Sequence, residues 1–164
     1  MFRLSKMTDY AVVVLTQLGR APAGPESPAI QTAPGIATAT GLAEPTVAKV
    51  LKLLGQGGLV VSTRGARGGY ALARPLSRLA VSDVIVAVEG PIALAACVDG
   101  AVDVCECECK CPVRGRWDPV NAAIRTALSG ISLADMQAAA MPRFAASTRL
   151  VPEPELAEPA LPNA

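Results

Sequence analysis

With 164 residues, 51% of them hydrophobic, the chain can bury one substantial core with an appended element, but not two domains of ordinary size. Aromatic residues make up 3%, too few for a stacking platform on single-stranded nucleic acid, and the absence of histidine and of paired carboxylates argues against an acid–base enzyme. The formal charge of +1 hides an asymmetry, because residues 1–75 carry eight basic side chains against Asp9, Glu26 and Glu44 while the rest is acidic, as in a polyanion-binding module joined to a part that must not bind polyanions.

The first predicted helix covers 8–19, with Thr8 as N-cap, Asp9 in the first turn, Ala11, Val14, Leu15 and Leu18 inward, and Gly19 closing it. The apolar run Tyr10–Leu15 is too short for a signal peptide, and the longer window Leu79–Val98 is interrupted by Asp83, Glu89 and Pro91, so a soluble cytoplasmic protein without membrane attachment is expected. Residues 21–31, rich in Ala, Pro, Gly and Ser, read as a loose connection. A second helix is expected over Thr32–Thr40 with Pro34 in its first turn, then a tight turn at Gly41-Leu42-Ala43 and a third helix over Glu44–Gly55, opened by Pro45. Val47, Val50, Leu51 and Leu54 share its inner face, which leaves Thr46, Lys49 and Lys52 outside; two short helices about a glycine turn make a helix-turn-helix.

Two short strands, Leu59–Thr63 and Tyr70–Ala73, flank the tip Arg64-Gly65-Ala66-Arg67-Gly68-Gly69 and form a hairpin wing. A helix pair plus hairpin could be no more than a small α+β core, but the exposed cations coincide with the two elements that would touch a duplex. Thr46, Lys49, Lys52, Arg64 and Arg67 are therefore the candidate DNA contacts.

A further helix is predicted from Ser82, as its cap, to Glu89, ending at Gly90. All five cysteines follow, at 97, 105, 107, 109 and 111. Thiolates gathered this closely repel one another and oxidise readily, so such a loop is normally held by a borderline or soft metal, an iron–sulfur cluster or a disulfide. The odd count and a reducing cytoplasm weaken the disulfide reading, and the spacing lacks the separated Cys pairs of a usual zinc site, although a zinc-stapled or oxidised loop without a sensing role stays open. Beyond it, Val120, Ile124, Ala127, Leu128 and Ile131 recur at helical spacing from Trp117, with Asn121, Arg125 and Ser129 opposite. That stripe is either a core face or a two-fold dimer seam, and a two-half-site operator would require the seam. Ser132-Leu133-Ala134-Asp135 reads as a capping box opening a last short helix, and the Ala/Pro/Glu-rich stretch beyond about Met141 reads as disordered.

The expected fold is mostly α with a small β-hairpin: a winged helix-turn-helix over 1–90, a cysteine-rich loop over 91–116, a dimerisation helix and short helix over 117–140, and a tail over 141–164. In this order the chain resembles the iron–sulfur-dependent bacterial transcription regulators of the IscR and NsrR type, most nearly the branch that regulates SUF-system cluster assembly. The stretches that carry the likeness are Met7-Thr8-Asp9-Tyr10-Ala11, Thr40 to Leu51, Arg64-Gly65-Ala66-Arg67-Gly68-Gly69-Tyr70 and Cys111-Pro112-Val113-Arg114-Gly115-Arg116-Trp117. The resemblance implies a homodimeric repressor bound to double-stranded operator DNA and carrying a [2Fe–2S] or [4Fe–4S] cluster, with Cys97, Cys105 and Cys111 as ligands. It also implies Asp9 as the completing ligand, supplied by the partner subunit. The histidine used by other members is missing, and Cys107 and Cys109 are extra thiols, either of which could replace Asp9. A nitric-oxide-sensing repressor of the same fold, and a cluster or metal carrier that binds no DNA, are the alternatives.

Overall fold

The inward stripe of the first helix sets the arrangement. The computed structural model describes residues 3–20, 30–65, 68–102, 105 and 110–138. Helix α1 spans Lys6–Arg20 and buries Ala11, Val14, Leu15 and Leu18 at spacings of three and four. It starts before the expected cap and continues through Gly19: Ser5 stands in the cap position, its hydroxyl accepting the Thr8 amide at 3.3 Å. Thr8 lies inside the first turn, 2% exposed, and its hydroxyl donates to the Glu89 carboxylate, which also accepts the Ser5 amide at 2.8 Å. A carboxylate from a distant helix thus sits on the positive end of α1.

Helix α2, Ala33–Thr40, is capped by Thr32, whose hydroxyl accepts the Gly35 amide at 3.2 Å, and ends at Gly41 with φ of 71°, a left-handed conformation that favours glycine. Helix α3, Glu44–Gln56, follows after the three residues Gly41-Leu42-Ala43 and buries Val47, Val50, Leu51 and Leu54. Together with Ile36 of α2 and the inner face of α1, these side chains form one continuous apolar core. Strands β1, Val60–Thr63, and β2, Gly69–Leu72, pair antiparallel with Val60 opposite Leu72 and Thr63 opposite Gly69. The hairpin has a third strand-like partner that periodicity does not reveal, since Gln31 exchanges both backbone hydrogen bonds with Tyr70, at 2.9 and 2.8 Å. A Cβ at position 69 would lie 2.6 Å from the Gln31 carbonyl oxygen, which is why glycine stands there. Gln31 also donates through Nε2 to the Gln17 carbonyl at 3.0 Å, anchoring the wing to the end of α1.

After a 3-10 turn at Leu76–Arg78, helix α4 spans Val81–Glu89 with Val84 and Ile85 buried. Its N-cap position is Ala80 rather than Ser82, and Asp83 satisfies the orphan Ala80 amide at 3.1 Å. Ser82 instead accepts a hydrogen bond from Ser129 at 3.0 Å. Helix α5, Asp118–Ser129, is followed by α6, Leu133–Gln137, and the expected capping box is present: the Asp135 amide donates to the Ser132 hydroxyl at 3.2 Å and the Ser132 amide to the Asp135 carboxylate at 2.9 Å. Leu133 is fully buried in the core of the winged helix, with its amide on the Leu79 carbonyl at 2.8 Å, so the chain returns to the first domain after α5. Among the described residues no helix is long and apolar enough to cross a membrane. Most of the 21–31 connection and the whole expected tail beyond Met141 lie outside the described residues.

Candidate nucleic-acid interface and thiol loop

Helix α3 buries one face, and the opposite face carries the polar side chains predicted for it. Thr46 is half-buried, Lys49 and Lys52 are exposed, and neither lysine joins an ion pair among the described residues. Arg64 follows the end of β1 directly and is exposed, while Arg67 lies outside the described residues. Arg74, another cation of the basic half, is paired with Asp83 at 2.7 Å. What remains is a helix of 13 residues, about 20 Å long at 1.5 Å per residue, with lysines on its open side and an arginine at the mouth of the adjoining hairpin tip. Cations whose backbone is already placed on a helix and next to a paired strand need no backbone ordering to meet a phosphate backbone, which suits docking on a duplex.

The cysteine loop begins at Gly90 and is pinned at its start by Ile92 and Val98, which are 9% and 5% exposed. Cys97, Cys105 and Cys111 are all free and half-buried. Cys107 and Cys109 lie outside the described residues. Among the described residues no three histidine, cysteine, aspartate or glutamate side chains converge as a metal site, so Cys97, Cys105 and Cys111 are not brought together here, and Asp9, exposed in the first turn of α1, does not join them. As a donor set the three thiols nevertheless suit iron: soft, unpaired in disulfides and partly shielded from solvent.

Two functional candidates escaped the sequence reading. Glu89 is one: the Thr8 hydroxyl, and less strongly Ser5, hold its carboxyl below the usual carboxylate value against the opposing effect of burial. Nothing local marks it, because its partners are 81 and 84 residues away. Asn121 is the other. It is 3% exposed, donating through Nδ2 to the Ile92 carbonyl and accepting the Leu94 amide at Oδ1, each at 3.1 Å. An asparagine inside a helix is a weak signal on its own, and the periodicity places it on the polar side of the stripe.

That stripe is not a core face. Trp117 and Val120 are 45% and 44% exposed, and Ile124, Leu128 and Ile131 are only half-buried. A groove of about 660 Å³ runs between α5 and the rest of the molecule, lined among others by Arg74, Asp83, Ile92, Arg125 and Ser129.

Known proteins share both the sequence and the fold. The Rrf2 family, described as iron-dependent transcriptional regulators, matches residues 4–139. A helix-turn-helix-type transcriptional regulator of Mycobacterium tuberculosis is 30% identical over 144 residues, covering 88% of this chain and 86% of its own. Among solved structures, CymR, the global cysteine regulator of B. subtilis, superposes with a TM-score of 0.59 at 26% identity, over 83% of this chain and 96% of that one. IscR of T. potens does so with a TM-score of 0.55 at 28% identity, over 83% and 86%. With a winged helix, outward lysines on its second helix-turn-helix element and a family match across nearly all of the described residues, the chain belongs to the Rrf2 family of DNA-binding transcriptional regulators.

Proposed function

We propose that this protein is a homodimeric repressor of iron–sulfur cluster assembly genes of the SUF type, whose occupancy of operator DNA is set by an iron–sulfur cluster in the thiol loop. The observation that carries the reading is the pairing, in one Rrf2 chain, of solvent-facing Lys49, Lys52 and Arg64 with three free, half-buried thiols. In this reading α3 enters the major groove, Thr46, Lys49 and Lys52 meet base edges or phosphates there, and Arg64 and Arg67 hold the backbone beside it. Cys97, Cys105 and Cys111 would hold the cluster, with Asp9 of the second subunit completing the set. When bound, the cluster supplies a chromophore and a centre that oxidants or iron shortage can destroy.

The exposed stripe of α5 supports a dimer, because Trp117 and Val120 leave apolar surface open to solvent on a helix that lies beside the groove. Two reading heads joined in this way would match an operator of two half-sites. Glu89 ties the start of α1, where Asp9 stands, to the helix from which the loop emerges.

The test is the absorbance spectrum of anaerobically purified protein together with its binding to promoter DNA. A sulfur-to-iron charge-transfer band that disappears in Cys97→Ala, Cys105→Ala and Cys111→Ala, but persists in Cys107→Ala and Cys109→Ala, is the expected result. Protein that binds the promoter yet shows no such band in any preparation, reconstituted or native, would leave a DNA-binding regulator and remove the cluster.

A further inference from the structure

The backbone on both sides of Cys97 is held by two side chains of one helix turn. Upstream, Asn121 of α5 makes two hydrogen bonds to residues 92 and 94, through Nδ2 to the Ile92 carbonyl and through Oδ1 from the Leu94 amide. Downstream, Asp118 Oδ1 accepts the Asp99 amide at 3.4 Å. Asn121 is the buried side chain of α5, and its own amide donates to the Trp117 carbonyl at 2.9 Å. A polar side chain buried with both amide groups satisfied by one loop has little freedom to adapt, because moving that loop orphans a donor and an acceptor together.

We propose that Asn121 and Asp118 are positioning residues that clamp the Cys97 segment to α5, so that any change at the Cys97 sulfur moves the first turns of the helix carrying the exposed apolar stripe. Cys111 lies outside the clamp, joined to α5 through the turns at residues 112–117. The two limbs of the thiol loop therefore differ: among the described residues the segment around Cys97 is tied to α5 by side-chain hydrogen bonds at residues 92, 94 and 99, whereas Cys111 leads into α5 through the turns that precede it. The inference rests on the proposed sensing role of the loop but does not require a cluster, since alkylation, oxidation or metal binding at Cys97 would all act through the same three bonds.

The experiment uses reduced, metal-free, full-length protein treated with iodoacetamide without oxygen. Alkylation of Cys97, Cys105 and Cys111 is followed by peptide mass spectrometry, and emission of Trp117, the single tryptophan, is recorded in parallel. Loss of the two Asn121 side-chain hydrogen bonds, one buried and one part-buried, in Asn121→Ala should speed alkylation of Cys97 by about tenfold while Cys111 changes by less than about twofold. Alkylation of Cys97 should shift Trp117 emission in the wild type and no longer do so in Asn121→Ala. Asp118→Ala should speed Cys97 more modestly, and Asp118→Asn, which keeps an oxygen acceptor, should restore the wild-type rate. Equal acceleration at all three thiols would mean that Asn121 merely supports the fold, and an unchanged Cys97 rate would mean that it holds nothing; either result overturns the clamp. Failure of the cluster reading is separable: reconstituted protein lacking a charge-transfer band but retaining the selective Cys97 response keeps the clamp, whereas a band with no Cys97 selectivity keeps only the cluster.

Discussion

Lys49 and Lys52 were identifiable as outward residues because Val47, Val50, Leu51 and Leu54 fix which side of α3 is buried, and a residue's place on a helix follows from 3.6 residues per turn. If each meets a phosphate, Lys49→Ala and Lys52→Ala should each lower the slope of log affinity against log salt by about one and weaken all duplex sequences alike. If one instead meets a base edge, its loss should cost about 1–3 kcal/mol at a single operator position. Glu89 could not be read in this way, since its partners Ser5 and Thr8 are reached only through tertiary packing. Its carboxyl is held low chiefly by the Thr8 hydroxyl, so its stabilisation is present above the usual value of 4.5 and is lost as pH falls through the lower folded-state value. The melting temperature of the wild type should therefore exceed that of Glu89→Gln at neutral pH, and the gap should close on acidification. A gap independent of pH would show that the carboxylate charge is not what the start of α1 requires.

Among the elements, the helix-turn-helix and hairpin were legible because each carries its own punctuation: Thr32 and Pro34 open α2, Gly41 ends it, Pro45 opens α3, and the glycine-rich tip separates the β-branched run of β1 from the short strand β2. The joining of Gln31 to Tyr70 and the return of Leu133 to the core were not legible, because both are long-range pairings without a local pattern. Leu133→Ala should consequently destabilise the winged helix itself by about 2–5 kcal/mol in denaturant unfolding, as expected for a leucine deleted from a packed core. A loss below about 0.5 kcal/mol would mean that α6 is dispensable to that core. The stripe of α5 was legible as apolar but not as exposed, since periodicity reports which residues share a face and not what covers it. If this stripe forms the proposed dimer seam, Ile124→Glu would place a charge in a dry interface and should yield monomer by light scattering and abolish binding to a two-half-site operator. A dimer of unchanged affinity would assign the seam elsewhere.

At the scale of the whole molecule, the contacts that link the winged helix, the thiol loop and α5 among the described residues include Glu89 at the base of the loop, Asn121 and Asp118 along α5, Ser129 on Ser82, and the chain's return at Leu133. The cysteine spacing pointed to a soft-metal or redox site, but spacing alone does not decide which sulfurs converge, and among the described residues Cys97, Cys105 and Cys111 do not come together as one metal site. Coupling between such a loop and DNA needs only that the loaded and empty loops favour different arrangements of the reading heads; a hundredfold change in affinity corresponds to about 2.7 kcal/mol. The most direct measurement is the operator affinity of anaerobically reconstituted and metal-free protein, side by side at one salt concentration, for the wild type and Cys97→Ala. Such coupling predicts that the two wild-type forms differ by about tenfold or more, corresponding to about 1.4 kcal/mol, and that the two preparations of Cys97→Ala bind alike. Equal affinity of the two wild-type forms, with the charge-transfer band present in one and absent in the other, would contradict it.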